Sequence, residues 1–208
     1  MILIGQYDSS FVRRVGIALT LYEIPFEHRP WSVFGDAGKI AELNPLTRVP
    51  TLVLDDGTVL VDSPSMIDHI DRMVPPQRRM LAADGGERTD GMRVMALATG
   101  LADKAVALFY EKVLHEQVSE TWAGRCAGQI AGTLKVLEAE RAARRGAFWF
   151  GDRIGHADVA VACALRHAND SHPGAIDWSI HPALAAHCEK LEAMPVLRAI
   201  SQPFIPPA

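Results

Sequence analysis

The clearest pattern of apolar and polar positions lies between Asn44 and Ser63. Two apolar runs, Thr51 to Leu54 and Thr58 to Val61, flank Asp55-Asp56-Gly57, and Asp-Gly between β-rich segments predicts an antiparallel hairpin. Pro50 stands at the entrance to the first run, where a missing N–H and a fixed φ are tolerated and a cis bond can shape the turn. Beyond the hairpin, Asp62-Ser63-Pro64 predicts a helix start with Ser63 as its cap and proline at the first helical position. Met66, Ile67, Ile70 and Met73 then recur at helical spacing.

The chain ahead of the hairpin alternates in type. Met1 to Ile4 reads as a buried strand closed by Gly5, and Gln6 to Ser10 as a polar loop with two candidate caps. Val12, Val15, Leu19 and Tyr22 mark one helical face, Ile24-Pro25 ends it, and Phe26 to Trp31 reads as a second strand. Asp36 to Asn44 predicts a short helix carrying Ile40 and Leu43. The summed order, βαβ, short helix, ββα, is a thioredoxin-like pattern.

After Pro75 the pattern breaks, and strand signals become scarce. Residues 1–78 are therefore read as an α/β thioredoxin-like domain, 79–88 as a linker and 89–208 as an all-α helical bundle. Met92, Met95, Ala96, Thr99, Ala102 and Val106 are expected to share one helix face, and Trp122 to Leu137 to lie on a second helix. Gly155 stands at an N-cap with Asp158 at the third helical position, where a carboxylate can reach back to the cap's N–H. His181-Pro182 starts one more helix, and Met194-Pro195 interrupts before a final turn.

Composition narrows the function. At 208 residues, 49% apolar and 22% charged, the chain is ordinary globular material, and a net charge of -4 leaves no electrostatic footprint for nucleic acid. Cys126, Cys163 and Cys188 are far apart and lack zinc or C-x-x-C spacing, so they read as thiols in a reducing compartment and no metal is expected. No apolar run reaches transmembrane length and none resembles a signal segment, so no membrane association and a cytoplasmic location are expected.

The hairpin region also suggests a ligand. A residue held extended before a proline, here Val49, can pair its backbone N–H and C=O with a peptide laid alongside. The start of the helix at Ser63 presents free N–H groups and a positive dipole end suited to a carboxylate. A small, anionic, extended peptide fits both.

Val49-Pro50 followed by Asp62-Ser63 resembles the glutathione-binding signature of the glutathione transferase family. Asp62 stands where that family usually has Gln or Glu, and Thr47 where glycine is common. The Gly155–Asp158 segment resembles a second family motif, with Gly155 in place of a hydroxyl cap, so the likeness covers nearly the whole chain. It implies a thioredoxin-like domain followed by a helical domain, a symmetric homodimer, glutathione as substrate or cosubstrate and a small hydrophobic electrophile as acceptor.

Of the residues, the resemblance implies glutathione binding by Arg48, Val49, Pro50, Asp62 and Ser63. Ser9 resembles the activating serine of the family's serine-type members. A free thiol of pKa about 8.5 is only ~3% thiolate at neutral pH. A hydroxyl donor at a helix N-terminus would bring most of a bound thiol into the nucleophilic form. Ser10 and Tyr7 are the alternative activators, and either serine could instead serve as a helix cap. Arg48 could instead be a solvated loop cation. Trp31, Phe109, Tyr110 and His115 are candidates for an acceptor pocket or for core. Besides conjugation, the family implies glutathione-dependent isomerases or dehalogenases, and non-catalytic scaffolds that bind partner proteins.

Overall fold

The computed structural model describes residues 1–207 and forms two compact units. One holds Met1–Ala83 together with the chain from Met194 onward, the other Asp84–Ala193. The first contains β1 (Ile2–Ile4), α1 (Ser10–Leu21), β2 (Glu27–Arg29), α2 (Ala37–Ala41), β3 (Thr51–Val53), β4 (Val59–Val61) and α3 (Ser63–Arg72). The second contains α4 (Gly85–Leu114), α5 (Glu120–Ala143), α6 (His156–Ser171) and α7 (Pro182–Glu192), and α8 (Pro195–Ala199) returns to the first.

The strands form one sheet in the order β2-β1-β3-β4. β1 runs parallel to β2 and antiparallel to β3, and β3 runs antiparallel to β4. The predicted hairpin turns at Asp55-Asp56-Gly57, with the Leu54 N–H donating to the Thr58 carbonyl at 2.8 Å and Gly57 in the left-handed region at φ 85°. Register decides the function of this small sheet. Ile4 stands opposite Arg29 on one side and Thr51 on the other, and Thr51 stands opposite Val61. All four strands therefore finish or begin in one row, and the chain segments beyond that row share one end of the sheet.

Packing follows the apolar spacing read from the sequence, except that Met73, at the end of α3, is exposed. Val12, Val15 and Leu19 of α1 meet Met66, Ile67 and Ile70 of α3 in one buried cluster with Leu3 and Leu52. Tyr22 closes this core: its hydroxyl donates to Asp71 Oδ1 at 2.5 Å, while the Met80 N–H donates to the Tyr22 oxygen at 2.7 Å. Both helices are thus fixed at their far ends, leaving their N-termini at the row of strand ends.

Four details differ from the sequence reading. Asp62, not Ser63, occupies the cap position of α3, Ser63 is its first helical residue and Pro64 follows in the first turn. The stretch 79–88 is not all linker, because α4 already starts at Gly85. The chain from Met194 onward packs on the first unit rather than with the bundle. The buried face of α4 is Val94, Ala98, Leu101, Ala102, Ala105 and Leu108, while Met92 is exposed. α4 packs chiefly against α6 and α5, and the face it turns to them is the one carrying Val94, Ala98, Leu101 and Ala105.

The start of α6 forms as its spacing predicts. Asp158 Oδ2 accepts from the Gly155 N–H at 2.8 Å, and Oδ1 accepts from the Trp149 N–H at 2.7 Å. Among the described residues, no helix is long and apolar enough to cross a membrane.

Candidate active site

Three segments leave the common row of strand ends: the loop Gly5 to Ser9 after β1, the segment Asn44 to Pro50 before β3, and Asp62-Ser63 after β4. Gly5 joins the first two. A Cβ built on it would come within 2.5 Å of Val12 Cγ2 and 2.8 Å of Val49 Cβ, and its φ of +127° suits only glycine. The first turn of α1 and the residue before Pro50 therefore close over the same glycine.

The Val49–Pro50 peptide is cis. Its approach is fixed by Asn44, a buried side chain whose Nδ2 donates to the Arg48 carbonyl and to Thr51 Oγ1, each at 3.0 Å. Asn44 Oδ1 in turn accepts from the Leu46 N–H at 3.0 Å, so one amide ties both ends of the loop. Thr47 lies between them in the left-handed region at φ 48°, which accounts for the preference for glycine at that place. Arg48 is exposed, Val49 half-buried and Pro50 buried.

Asp62 has φ 71° and ψ 127° and makes no side-chain capping bond. A non-glycine residue held in that region carries about 1–3 kcal/mol of strain, the kind of backbone that clusters at ligand sites. Ser65 locks it in place, its hydroxyl donating to the carbonyls of Val61 at 2.7 Å and Asp62 at 2.8 Å. Ser63 is fully buried, and its hydroxyl has no hydrogen-bond partner among the described residues. A buried orphan hydroxyl is costly and uncommon in folded proteins.

Ser9 caps α1, its Oγ accepting from the Val12 N–H at a long 3.5 Å. The half-buried hydroxyl thus keeps most of its hydrogen-bonding capacity for another group. Ser10 is the first residue of the helix, buried, with an Oγ that has no partner among the described residues. The first turns of α1 and α3, Ser10 to Arg13 and Ser63 to Met66, carry neither Asp nor Glu. Apart from Asp62 at the cap of α3, which makes no capping bond, and Asp8 ahead of the α1 cap, these N-terminal dipole ends carry no acidic side chain, and helix N-termini favour anions.

Tyr7 is placed differently. Its ring stacks on His28 with centroids 3.9 Å apart, and it lies over Gly16, where a Cβ would come within 2.8 Å of Tyr7 Cε1. That sets the ring along α1, away from its first turn, and burial pushes the phenol up to about 12. Trp31 is flanked by Arg29 and Lys39, each 5.6 Å from its ring centre. In the helical unit, Phe109 packs edge-on against His172 at 6.2 Å, and His115 Nδ1 lies 3.0 Å from Glu111. No group of His, Cys, Asp and Glu among the described residues is arranged to hold a metal.

The sequence reading passed over Gly5 and Asn44. Gly5 carried a signal as the residue that ends the first strand, whereas Asn44 before Pro45 looked like an ordinary helix stop.

Comparison with known proteins finds a family match in each part of the chain. Residues 3–78 match the model of the glutathione S-transferase N-terminal domain, and residues 120–190 that of the C-terminal domain. The uncharacterized GST-like protein YibF of Escherichia coli is 33% identical over 175 residues, covering 81% of this chain and 82% of its own. A maleylacetoacetate isomerase of Pseudomonas aeruginosa is 31% identical over 176 residues, with 79% and 80% covered. Among solved structures, a glutathione S-transferase of Methylobacterium radiotolerans in complex with glutathione sulfonate superposes with a TM-score of 0.89 at 26% identity, covering 100% of this chain and 98% of that one.

Proposed function

Because this chain belongs to the glutathione S-transferase family, we propose that its site binds glutathione and that Ser9 activates the bound thiol. The tripeptide would lie against the backbone of Val49 like an added strand. Its γ-glutamyl carboxylate would accept from the Ser63 hydroxyl and the N–H groups opening α3, and its sulfur would point at the start of α1. Arg48, exposed at the loop, would meet the glycine carboxylate. The observation that carries this reading is the row Ile4, Thr51, Val61, which aligns all three segments at one end of the sheet.

At that place the Ser9 hydroxyl donates to the sulfur, and the α1 dipole favours the same negative charge. A charge-assisted bond of about 1.5–3 kcal/mol with a dipole contribution of ~0.3–1 kcal/mol raises the ionised share of the bound thiol at neutral pH from ~3% to roughly 40–97%. The thiolate then attacks an electrophilic carbon, forming the C–S bond as the leaving group departs with its electron pair. A symmetric homodimer belongs to the same proposal.

A second reading is favoured by the Pseudomonas aeruginosa isomerase. In it the thiolate adds to a conjugated cis double bond, the resulting single bond rotates, and elimination restores the double bond in the trans form with glutathione released unchanged. Glutathione consumption separates the two readings, since conjugation uses one equivalent per turnover and isomerisation uses none. Calorimetric titration with glutathione, followed by turnover of an aryl halide, tests the common core. Ser9→Ala should lower turnover far more than affinity, and equal losses in both would remove the activating role.

A further inference from the structure

The loop that presents Ser9 is held from far away in the chain. The N–H of Tyr7 donates to Gln202 Oε1 at 2.9 Å, and the N–H of Ile205 donates to Asp8 Oδ2 at 3.1 Å. On the other side of Ser9, the buried guanidinium of Arg13 donates through Nε to the Ile200 carbonyl at 2.9 Å and through Nη2 to the Leu197 carbonyl at 2.8 Å. Ile200 also presses on α1, where a Cβ at Gly16 would meet its Cγ2 at 3.0 Å.

These ties bracket one residue. Tyr7 and Asp8 precede Ser9 directly, and Arg13 follows one helical turn later. Ser9 itself is tied to α1 by a 2.9 Å bond from the Arg13 N–H to its carbonyl, but its hydroxyl has only a long 3.5 Å capping bond and its N–H a 3.2 Å turn bond to the Gln6 carbonyl. A hydroxyl must point at a thiolate within a narrow range of distance and angle to stabilise it. The residues on either side of this one, Tyr7, Asp8 and Arg13, are the ones tied to the segment that docks beside it.

We propose that the strap from Leu197 to Ile205 is a positioning element of the active site, and that Gln202, through the Tyr7 N–H, orients Ser9 toward the glutathione sulfur. Gln202 touches neither the thiol nor the acceptor in this scheme. It acts by fixing the loop, so thiol acidity depends on a side chain nearly the whole chain length away from Ser9. The inference rests on the proposed role of Ser9 in activating glutathione.

The test uses the full chain and glutathione itself. The pKa of the bound thiol is read from the ultraviolet absorbance of the thiolate, alongside kcat and KM for an aryl halide reaction and hydrogen exchange at the Tyr7 amide. Gln202→Ala should speed exchange at Tyr7, raise the thiol pKa and lower kcat about tenfold below neutral pH, with KM for glutathione within about twofold. Gln202→Glu keeps an acceptor oxygen and should restore most of the lost acidity, which a merely destabilised chain would not do. Faster exchange at Tyr7 with an unmoved thiol pKa would overturn the proposal while leaving Ser9 in its role. If the unmodified protein binds glutathione without lowering its thiol pKa, or if Ser9→Ala leaves that pKa unchanged, the activating role and the strap fall together.

Discussion

Nε2 of His187 lies 3.4 Å from Oδ1 of Asp158, and both side chains are sealed from solvent. The same carboxylate accepts the N–H groups of Gly155 and Trp149, so the start of α6 and the buried histidine of α7 share one charge. Trp149 packs edge-on against the imidazole at 5.4 Å. Burial is the main influence on both groups. It pushes Asp158 up to about 6 against its two N–H bonds, and pushes His187 down to about 4 with help from Arg141 and Lys190.

The two shifts act on stability with opposite sign. A carboxyl raised from 3.8 to about 6 adds stability as pH falls through 6, since the folded state takes the proton first. A histidine lowered from 6.5 to about 4 removes stability as pH falls through 6.5, since the unfolded state takes the proton first. Between about pH 6 and 4 the two nearly cancel. His187→Leu should therefore gain stability relative to the parent on acidification across this range. Asp158→Ala should lose it, on top of about 2–5 kcal/mol for two orphaned backbone N–H groups. Urea melts at a series of pH values check both signs, and parallel curves for all three proteins would refute the coupling.

Gly5 admits no side chain. With φ +127° and Val12 Cγ2 only 2.5 Å from where a Cβ would sit, Gly5→Ala combines backbone strain with a core overlap. The expected cost is about 2–5 kcal/mol, and glutathione affinity should fall with it because the same Cβ displaces Val49. Thermal unfolding and glutathione titration on the one variant should report both losses.

These positions also show where sequence reading stops. The hairpin, the face of α1 and the cap of α6 rest on neighbours within a few residues, and period, Asp-Gly and the Gly155–Asp158 spacing carry them. The contents of the candidate site are local in the same way, because Val49-Pro50 and Asp62-Ser63 bracket one hairpin. The docking of the strap depends on Arg13 finding carbonyls at Leu197 and Ile200, and nothing near Arg13 in the chain signals them. Ser63 looked like a cap because serine before proline usually is one. Asp62 instead takes the cap position with a strained backbone, which turns Ser63 inward as the first helical residue.

Asn44 should separate affinity from chemistry. Asn44→Ala removes the amide that ties the Arg48 carbonyl, Thr51 and the Leu46 N–H, at a cost of about 1–3 kcal/mol in stability. The loop carrying Val49 loosens, whereas the cap of α1 is untouched. Calorimetry should show weaker glutathione binding, and the pKa of whatever thiol does bind should stay where it is in the parent protein.

Ser63→Ala should move stability and binding in opposite directions. The hydroxyl is fully buried with no partner among the described residues, so the unliganded fold bears the cost of desolvating it and gains no bond in return. Alanine at the same helical position removes that cost and should leave the melting temperature unchanged or higher, by up to ~1–2 kcal/mol in stability. In the proposed binding mode glutathione would lose a charge-assisted donor to its carboxylate, worth about 1.5–3 kcal/mol, or roughly ten- to a hundredfold in affinity. Ser9→Ala is the contrast, because it gives up a helix cap and should destabilise the free protein by about 1 kcal/mol. Measuring both variants with and without glutathione distinguishes a hydroxyl kept for a ligand from one kept for the fold. A Ser63→Ala protein that melts lower yet binds glutathione like the parent would place Ser63 with the fold.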